Sequence, residues 1–168
     1  MKKVEVKEIA NIVFEQIPKG FFLTTGNGSV NNTMTIGWGG LQVMHSKDCF
    51  LVPVRESRYT YSLLNQNPYF TISIPLHDMK EQLKFAGTKS GRETNKWLNH
   101  GLSSQKSQVV NVPIVKECEL HLECKVISFA DMVDESIEKA TRSRNYPDGN
   151  LHRFYIGEIV ACYYTDKE

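Results

Sequence analysis

Residues 117–126 alternate strictly between apolar and polar side chains, and this pattern limits the folds open to the chain more than any other feature of its sequence. One face of the pattern is apolar and consists of Cys118, Leu120, Leu122, Cys124 and Val126. The other face is polar and consists of Glu117, Glu119, His121, Glu123 and Lys125. Such alternation is typical of an antiparallel strand with one face in the core and the other in water. We therefore expect a half-buried strand with a wet outer face.

Five further segments have the composition of β-strands. Residues 21–25 and 32–38 flank the turn signal Gly26-Asn27-Gly28, and a short loop of this kind predicts an antiparallel hairpin. The other strands are predicted at residues 49–54, 69–74 and 154–164. Pro53 cannot donate a ladder hydrogen bond, so we expect it at a sheet edge or a bulge. The last strand is apolar on both faces, which predicts a cover over its outer side, a subunit partner being one explanation.

Short helices are predicted between the strands, at residues 8–16, 58–65, 78–85 and 92–99. Six strands with short inserted helices indicate a mainly β fold, either an antiparallel barrel or a closely related sheet. At 168 residues the chain has the length of one domain, which we place at 1–168.

The charge balance and the cysteine pattern exclude several classes of protein. Twenty Lys and Arg against nineteen Asp and Glu give a net charge of +1, too small a surplus for non-specific binding of nucleic acid. No apolar run approaches the roughly 18 residues of a membrane span, and residues 1–8 lack the apolar core of a secretory signal. The four cysteines have no zinc-site spacing. We expect a cytoplasmic protein with no metal site and no nucleic-acid or membrane partner.

Two segments have the features of anion sites. In the first, residues 55–60, Ser57 is a good N-cap at a helix start, Arg55 or Arg58 can add charge-assisted hydrogen bonds, and Thr60 adds a hydroxyl. The second, residues 88–97, offers hydroxyls, a glycine that permits close backbone approach, and the cations Arg92 and Lys96. Each segment is also compatible with an ordinary capped surface helix. Two of them on one small domain favour a shared phosphoryl ligand.

A third segment, residues 32–38, places a glycine beside an aromatic residue at the end of a strand. Gly37 lets a flat ligand approach the backbone closely, while Trp38, taken alone, is more often a core residue than part of a ligand site. No Rossmann fingerprint, phosphate-binding P-loop or Gly-x-Ser-x-Gly motif is present. His152, near the start of the last strand, is a weak catalytic candidate, since a lone histidine is more often structural.

The three segments together carry a family resemblance. Asn-x-Met-Thr-Ile-Gly-Trp at 32–38, Arg-x-Ser-Arg-Tyr-Thr at 55–60 and Gly-Thr-Lys-Ser-Gly-Arg-Glu-Thr-Asn-Lys-Trp at 87–97 resemble the flavin reductase-like, FMN-binding split-barrel family, in its flavoredoxin-like branch. The segments at 117–124 and 152–159 also fit, so the resemblance covers nearly the whole chain. It implies a six-stranded antiparallel Greek-key split barrel that forms a homodimer and binds FMN non-covalently.

The resemblance also assigns the cofactor-binding residues. It implies that Asn32 and the backbone of Thr35, Ile36, Gly37 and Trp38 contact the isoalloxazine ring. The ribityl chain and phosphate would be held by Arg55, Ser57, Tyr59 and Thr60, and the phosphate end would be closed by Ser90, Gly91, Arg92 and Lys96. Ala86 departs from the family pattern, which has a cysteine here in many members, so no thiol is expected beside the flavin.

The resulting hypothesis is an FMN-binding oxidoreductase that passes electrons from NADH or NADPH to free flavin, a partner protein or a small acceptor. Hydride transfer needs no protein acid or base, since the cofactor supplies the chemistry. Two alternatives stay open at this point. One is an FMN-containing electron carrier reduced by a protein donor, and the other is a barrel that binds no flavin and serves in protein interaction.

Overall fold

The computed structural model of the protein describes residues 1–165. Within these residues the strands are β1 (Lys2–Lys3), β2 (Phe21–Gly26), β3 (Asn31–Ile36), β4 (Gly40–Met44), β5 (Lys47–Arg55), β6 (Tyr69–Ile74), β7 (Ser104–Gln105), β8 (Ile114–Val115), β9 (Leu120–Asp131) and β10 (His152–Tyr164). The helices are α1 (Ala10–Gln16), α2 (Tyr59–Leu64), α3 (Lys80–Thr88) and α4 (Lys139–Asn145). Single 3₁₀ turns lie at Val6–Ile9, Ile17–Lys19, Lys96–Leu98 and Asp134–Ser136.

One antiparallel sheet forms the body of the protein, with the strand order β3-β2-β6-β9-β10-β5-β4 and with β1 added to β10. The six predicted strands are present as β2, β3, β5, β6, β9 and β10. Strands β3 and β4 end the order and are not paired with each other. The sheet is therefore open between them, and each of the two strands presents one free edge.

Strand β4 was not predicted, because its hairpin lacks the usual sequence signal. Met44 pairs with Lys47, so only His45 and Ser46 form the loop between β4 and β5. Both loop residues have positive φ, +53° and +58°, as a type I′ turn requires. Asn-Gly is the usual sequence of such a turn, and neither residue occurs here. Strand β4 reaches only to Leu51 of β5, so Pro53 lies on a locally open edge, as predicted.

The middle of the polar face of β9 is not wet, so the prediction is wrong for His121 and Glu123, whereas Lys125 is exposed as predicted. His121 and Glu123 are both fully buried. The segment before β8 covers this face, and the Glu123 carboxylate accepts hydrogen bonds from the backbone amides of Gln108, Val109 and Val110 at 2.6–2.9 Å. It also accepts one from the Tyr163 hydroxyl at 2.7 Å. Segments distant in the sequence thus supply the hydrogen-bond donors that the alternating pattern led us to expect from water.

The core consists of two clusters. The main one lies between the inner face of the sheet and the N-terminal segment, where Ile9 and Val13 pack with residues such as Phe50 and Val52. A smaller one lies under α3, around Phe22 and Leu83. All four cysteines are buried. Among residues 1–165 no helix has the length and hydropathy to cross a membrane.

The helix predicted at residues 92–99 is also wrong, since only the 3₁₀ turn Lys96–Leu98 forms there. The side chains of this segment are committed to tertiary contacts. The Lys96 ammonium donates to the Thr33 carbonyl at 2.8 Å, and the Trp97 indole donates to the Asn31 carbonyl at 3.0 Å. Both bonds tie the segment to β3, and an extended path suits them better than a helix.

Candidate functional site

Two cavities lie side by side along the free edge of β3. The tryptophan cavity has a volume of about 190 Å³ and is lined by residues 34–38 with Pro53, Arg55, Arg58 and His152. The cationic cavity has a volume of about 140 Å³ and is lined by Asn32, Met34, residues 57–60, Ala86, residues 88–92 and Lys96. They share Met34 and Arg58. Because they share these two lining residues, we describe them as one two-part cleft, whose summed volume reaches the roughly 300 Å³ of a small-molecule site.

Positive charge dominates this cleft. The cations on its walls are Arg55, Arg58, Lys89, Arg92 and Lys96, and no Asp or Glu occurs among the described residues that line either cavity. Such a wall attracts an anion, and guanidinium groups in particular match the geometry of a phosphate. Arg58 belongs to both cavities, whereas the sequence suggested it only as an alternative to Arg55. Lys89 was missed, although it lies within the second predicted anion segment.

The free edge of β3 forms the floor of the cleft. The carbonyls of Asn31 and Thr33 both point away from β2, toward the donors of Trp97 and Lys96. Backbone groups of alternate residues on a strand edge point to the same side, so those of Thr35 also point away from β2. The Thr35 hydroxyl donates to the Leu83 carbonyl at 2.6 Å and is therefore not free. At this end of β3, the groups available to bind a flat ligand are therefore the backbone N–H and C=O groups, not the Thr35 hydroxyl.

Trp38 and His152 form the far wall of the tryptophan cavity. Trp38 is 48% exposed, so the placement in the core that its local sequence favours is wrong. Its ring centroid lies 5.3 Å from that of His152. His152 is buried, and its Nδ1 forms one hydrogen bond, 2.9 Å long, with the Tyr146 hydroxyl. Burial, together with the charges of Arg55 and Arg58, lowers the pKa of His152 to about 4. His152 is thus a neutral imidazole at pH 7.

Arg55 lies in the tryptophan cavity and not in the cationic cavity. Its guanidinium donates to the carbonyls of Asn150 and Asn145, at 2.5 and 2.8 Å, and lies 4.9 Å from the centre of the Tyr146 ring. These contacts hold the segment between α4 and β10 against β5. A ligand that contacts Arg55 would therefore bind a guanidinium that already donates to two backbone carbonyls.

The cationic cavity depends on a close approach between two loops. A Cβ on Gly91 would lie 2.0 Å from the Asn32 side-chain oxygen and 3.1 Å from the Tyr59 ring, so any other residue here would displace the Asn32 side chain. The Asn32 amide donates to the Thr60 hydroxyl at 3.1 Å, and Arg92 lies 5.2 Å from the centre of the Tyr59 ring. The glycine thereby lets residues 90–92 close against the start of α2.

Ser57 and Lys96 have structural partners as well as a place on the wall of the cationic cavity. The Ser57 hydroxyl accepts a bond from the Asn150 amide at 2.8 Å, and the Ser57 carbonyl accepts one from Arg92 at 3.0 Å. Lys96 is almost fully buried and donates to the carbonyls of Thr33 and Ala86. An ammonium has three donors, so one remains for a ligand. Burial, and secondarily the charge of Arg58, lowers the pKa of Lys96 to about 8.

Every residue predicted to bind a cofactor lines one of the two cavities, and so does His152. The structure therefore brings together three segments that are far apart in the sequence. Their individual roles toward a ligand stay predictions. Among residues 1–165 no group of three or more His, Cys, Asp or Glu side chains is arranged to hold a metal ion.

The chain belongs to the flavin reductase like domain family, whose model matches residues 14–168. It is 29% identical to an uncharacterised protein of Archaeoglobus fulgidus over 159 residues, which are 95% of this chain and 80% of that protein. Among solved structures it is similar to the flavoredoxin of Desulfovibrio vulgaris (Miyazaki F), with 26% identity and a TM-score of 0.69 over 88% of this chain and 69% of that chain.

A second solved structure extends the comparison of the fold. It is an FMN-binding domain of a flavin reductases-like enzyme from Shewanella baltica OS155, with 17% identity and a TM-score of 0.70. The alignment covers 98% of this chain and 78% of that one. These similarities, with the antiparallel sheet described above, confirm the predicted mainly β split-barrel fold and the family resemblance.

Proposed function

We propose that the protein is an FMN-binding oxidoreductase of the flavin reductase and flavoredoxin class, which passes electrons from NADH or NADPH through the bound flavin to an acceptor. The observation that carries this proposal is the two-part cleft. One end is cationic, with no Asp or Glu among its described lining residues, and the other end is a strand edge beside Trp38. FMN has the same division into an anionic phosphate and a flat ring. When bound, FMN supplies the hydride and electron chemistry of the site.

The residues of the cleft fit the two ends of FMN. The phosphate would meet Ser57, Arg58, Arg92 and Lys96, and their donors are fixed by the contacts between residues 90–92 and the start of α2. The ring would lie along the free edge of β3, where backbone amides can donate to its polar rim. Amides and positive charge near a flavin ring favour its reduced, anionic form. The third donor of Lys96 would satisfy a phosphate oxygen without disturbing its two carbonyl partners.

Anaerobic reduction of the FMN-loaded protein tests the enzymatic part of this proposal. Either NADH or NADPH is mixed with the loaded protein, and loss of the oxidised flavin absorbance is followed in a stopped-flow instrument. We expect reduction by at least one nucleotide. If neither nucleotide reduces the bound flavin, the oxidoreductase assignment is wrong, although FMN binding itself can still be correct.

The electron carrier is the second candidate, and it shares the whole cleft. It differs in taking electrons from a protein donor, so reduction only by a reduced partner protein such as a ferredoxin would favour it. Fast oxidation of NAD(P)H in the presence of added free flavin would favour the enzyme. The non-flavin module would require a protein that binds neither FMN nor riboflavin.

We also propose that two copies of the chain associate, as the family resemblance implies. Phe14 on α1 is 82% exposed and Val43 on β4, against which α1 packs, is 75% exposed. Val160 on β10 is also partly exposed. Sedimentation equilibrium at micromolar concentration should give a dimer, and Phe14→Glu with Val43→Glu should shift it toward monomer. A monomeric wild-type protein would contradict the proposal.

A further inference from the structure

Tyr146 lies behind His152, in the connection between α4 and β10, and is 3% exposed. Several contacts fix its position. Arg55 lies over its ring and donates to the carbonyls of Asn145, the last residue of α4, and Asn150, near the end of this connection. Arg142 donates to the Tyr146 carbonyl from α4. The phenol is therefore held at a fixed place relative to the tryptophan cavity.

The hydroxyl of Tyr146 meets Nδ1 of His152 at 2.9 Å, and this bond can be formed in two ways. Either the phenol donates to an unprotonated Nδ1, or a protonated Nδ1 donates to the phenol oxygen. Tyr146 has no second hydrogen-bond partner for its hydroxyl among residues 1–165. In the second arrangement the phenol proton would therefore be left without an acceptor in a buried position, which is costly.

The protonation states of both groups agree with the first arrangement. Burial raises the pKa of the Tyr146 phenol, so it keeps its proton. The charged or titratable groups that face His152 are Arg55 on β5, Arg58 before α2 and Tyr146 itself, and none of them favours an imidazolium. A neutral imidazole that accepts at Nδ1 carries its proton on Nε2.

Nε2 is the atom of His152 that remains for a ligand. It has no hydrogen-bond partner within the described part of the chain, and it is not among the buried unsatisfied polar atoms there, so it keeps an opening to solvent on a side chain that lines the tryptophan cavity. His152 is 8% exposed, so this opening is narrow. It lies beside the Trp38 ring, where the proposed function places the flat part of the ligand.

We propose that Tyr146 is a positioning residue that holds His152 in its Nε2–H tautomer, so that the cleft presents a neutral hydrogen-bond donor to a carbonyl oxygen of a planar ligand beside Trp38. The identity of the acceptor, a carbonyl oxygen of the ligand, rests on the proposed function, whereas the tautomer of His152 does not. Two sources of such an oxygen are compatible with the site, namely a ring carbonyl of the flavin and the carboxamide of a nicotinamide.

The tautomer is tested first, on the protein without FMN. Two-bond ¹H–¹⁵N spectra distinguish the neutral tautomers of a histidine, and we expect His152 to be the Nε2–H form from pH 6 to 8. Tyr146→Phe should give a mixture of tautomers. Tyr155→Phe is the matched control, because it removes another buried hydroxyl, bonded to Asn65 at 3.0 Å, on a residue that does not line the cleft. An Nδ1–H tautomer in the wild type, or an unchanged one in Tyr146→Phe, would overturn the proposal.

Ligand titrations then locate the oxygen. FMN is titrated into the wild type and into Tyr146→Phe, and nicotinamide is titrated into both proteins after loading with FMN. Because the ligand binds only the Nε2–H fraction of His152, an equal mixture of tautomers in Tyr146→Phe should lower the affinity about twofold. A loss in the first titration assigns the oxygen to the flavin, and a loss only in the second assigns it to the nicotinamide. If neither affinity changes, His152 is not a donor to the ligand. If the wild type does not bind FMN, the proposed function fails while the tautomer result stands.

Discussion

Arg58→Gln should weaken the binding of FMN about fivefold to thirtyfold and leave the binding of riboflavin almost unchanged. Arg58 lines both halves of the cleft, is exposed, and has one long hydrogen bond, at 3.4 Å to the Gly87 carbonyl, so its loss costs the fold little. A hydrogen bond to a charged group contributes about 1.5–3 kcal/mol. Since solvent screens an exposed guanidinium, we place the loss at about 1–2 kcal/mol, and 1.4 kcal/mol is a factor of ten.

Fluorescence quenching of the flavin gives both dissociation constants on the same protein samples. Riboflavin lacks the phosphate but keeps the ring and the ribityl chain, so it separates a phosphate contact from a general disturbance of the cleft. Lys7→Gln is the matched charge control, because Lys7 is exposed in the N-terminal 3₁₀ turn and lines neither cavity. Equal losses for FMN and riboflavin, or a loss for Lys7→Gln as large as that for Arg58→Gln, would refute the assignment of the phosphate to the cationic cavity.

Three further predictions concern the same cleft and its support. FMN affinity should fall between pH 7 and 9, because the pKa of Lys96 in the free protein is about 8 and its charge is lost as the pH rises; titrations at several pH values measure this. Gly91→Ala should weaken FMN binding at least about tenfold and destabilise the fold by about 2–3 kcal/mol, because the new Cβ displaces Asn32. Titration with FMN measures the first effect and calorimetry the second. Glu123→Ala should lower Tm by roughly 6–12 °C, since at least about 3 kcal/mol is lost with the buried carboxylate.

Each of these predictions has its own contradicting result. A pH profile that is flat for FMN, or equally steep for riboflavin, would remove Lys96 from the phosphate site. For Gly91→Ala, a second change of Asn32→Ala should restore part of the lost stability, and strictly additive effects would show that the two residues do not collide. A Tm within 2 °C of the wild type in Glu123→Ala would show that water replaces the carboxylate without cost.

The local sequence predicts the strands well, because the period of the side chains is a local property. Residues 69–74 form β6 with the predicted bounds, and the Gly/Asn-rich hairpin joins β2 to β3. The failures come from contacts that no local pattern contains. Lys96 and Trp97 reach back to β3 and prevent the predicted helix, and the amides of residues 108–110 bury Glu123.

The positions of the site residues along the cleft could be predicted from motif order, but their hydrogen-bond partners could not. Arg55 resembles a phosphate ligand in the sequence, yet the structure gives its donors to two backbone carbonyls at the other end of the cleft. The bond between Tyr146 and His152 had no local signal, since the two residues meet only because the connection between α4 and β10 folds back. Motifs identify which residues converge, and the fold decides which of their donors stay free.

The absorption spectrum of the protein after equilibration with FMN and desalting tests the central claim most directly. We expect a retained flavin spectrum corresponding to about one FMN per chain, and a smaller one for Arg58→Gln. A colourless protein after desalting, with no measurable FMN affinity by titration, would contradict it.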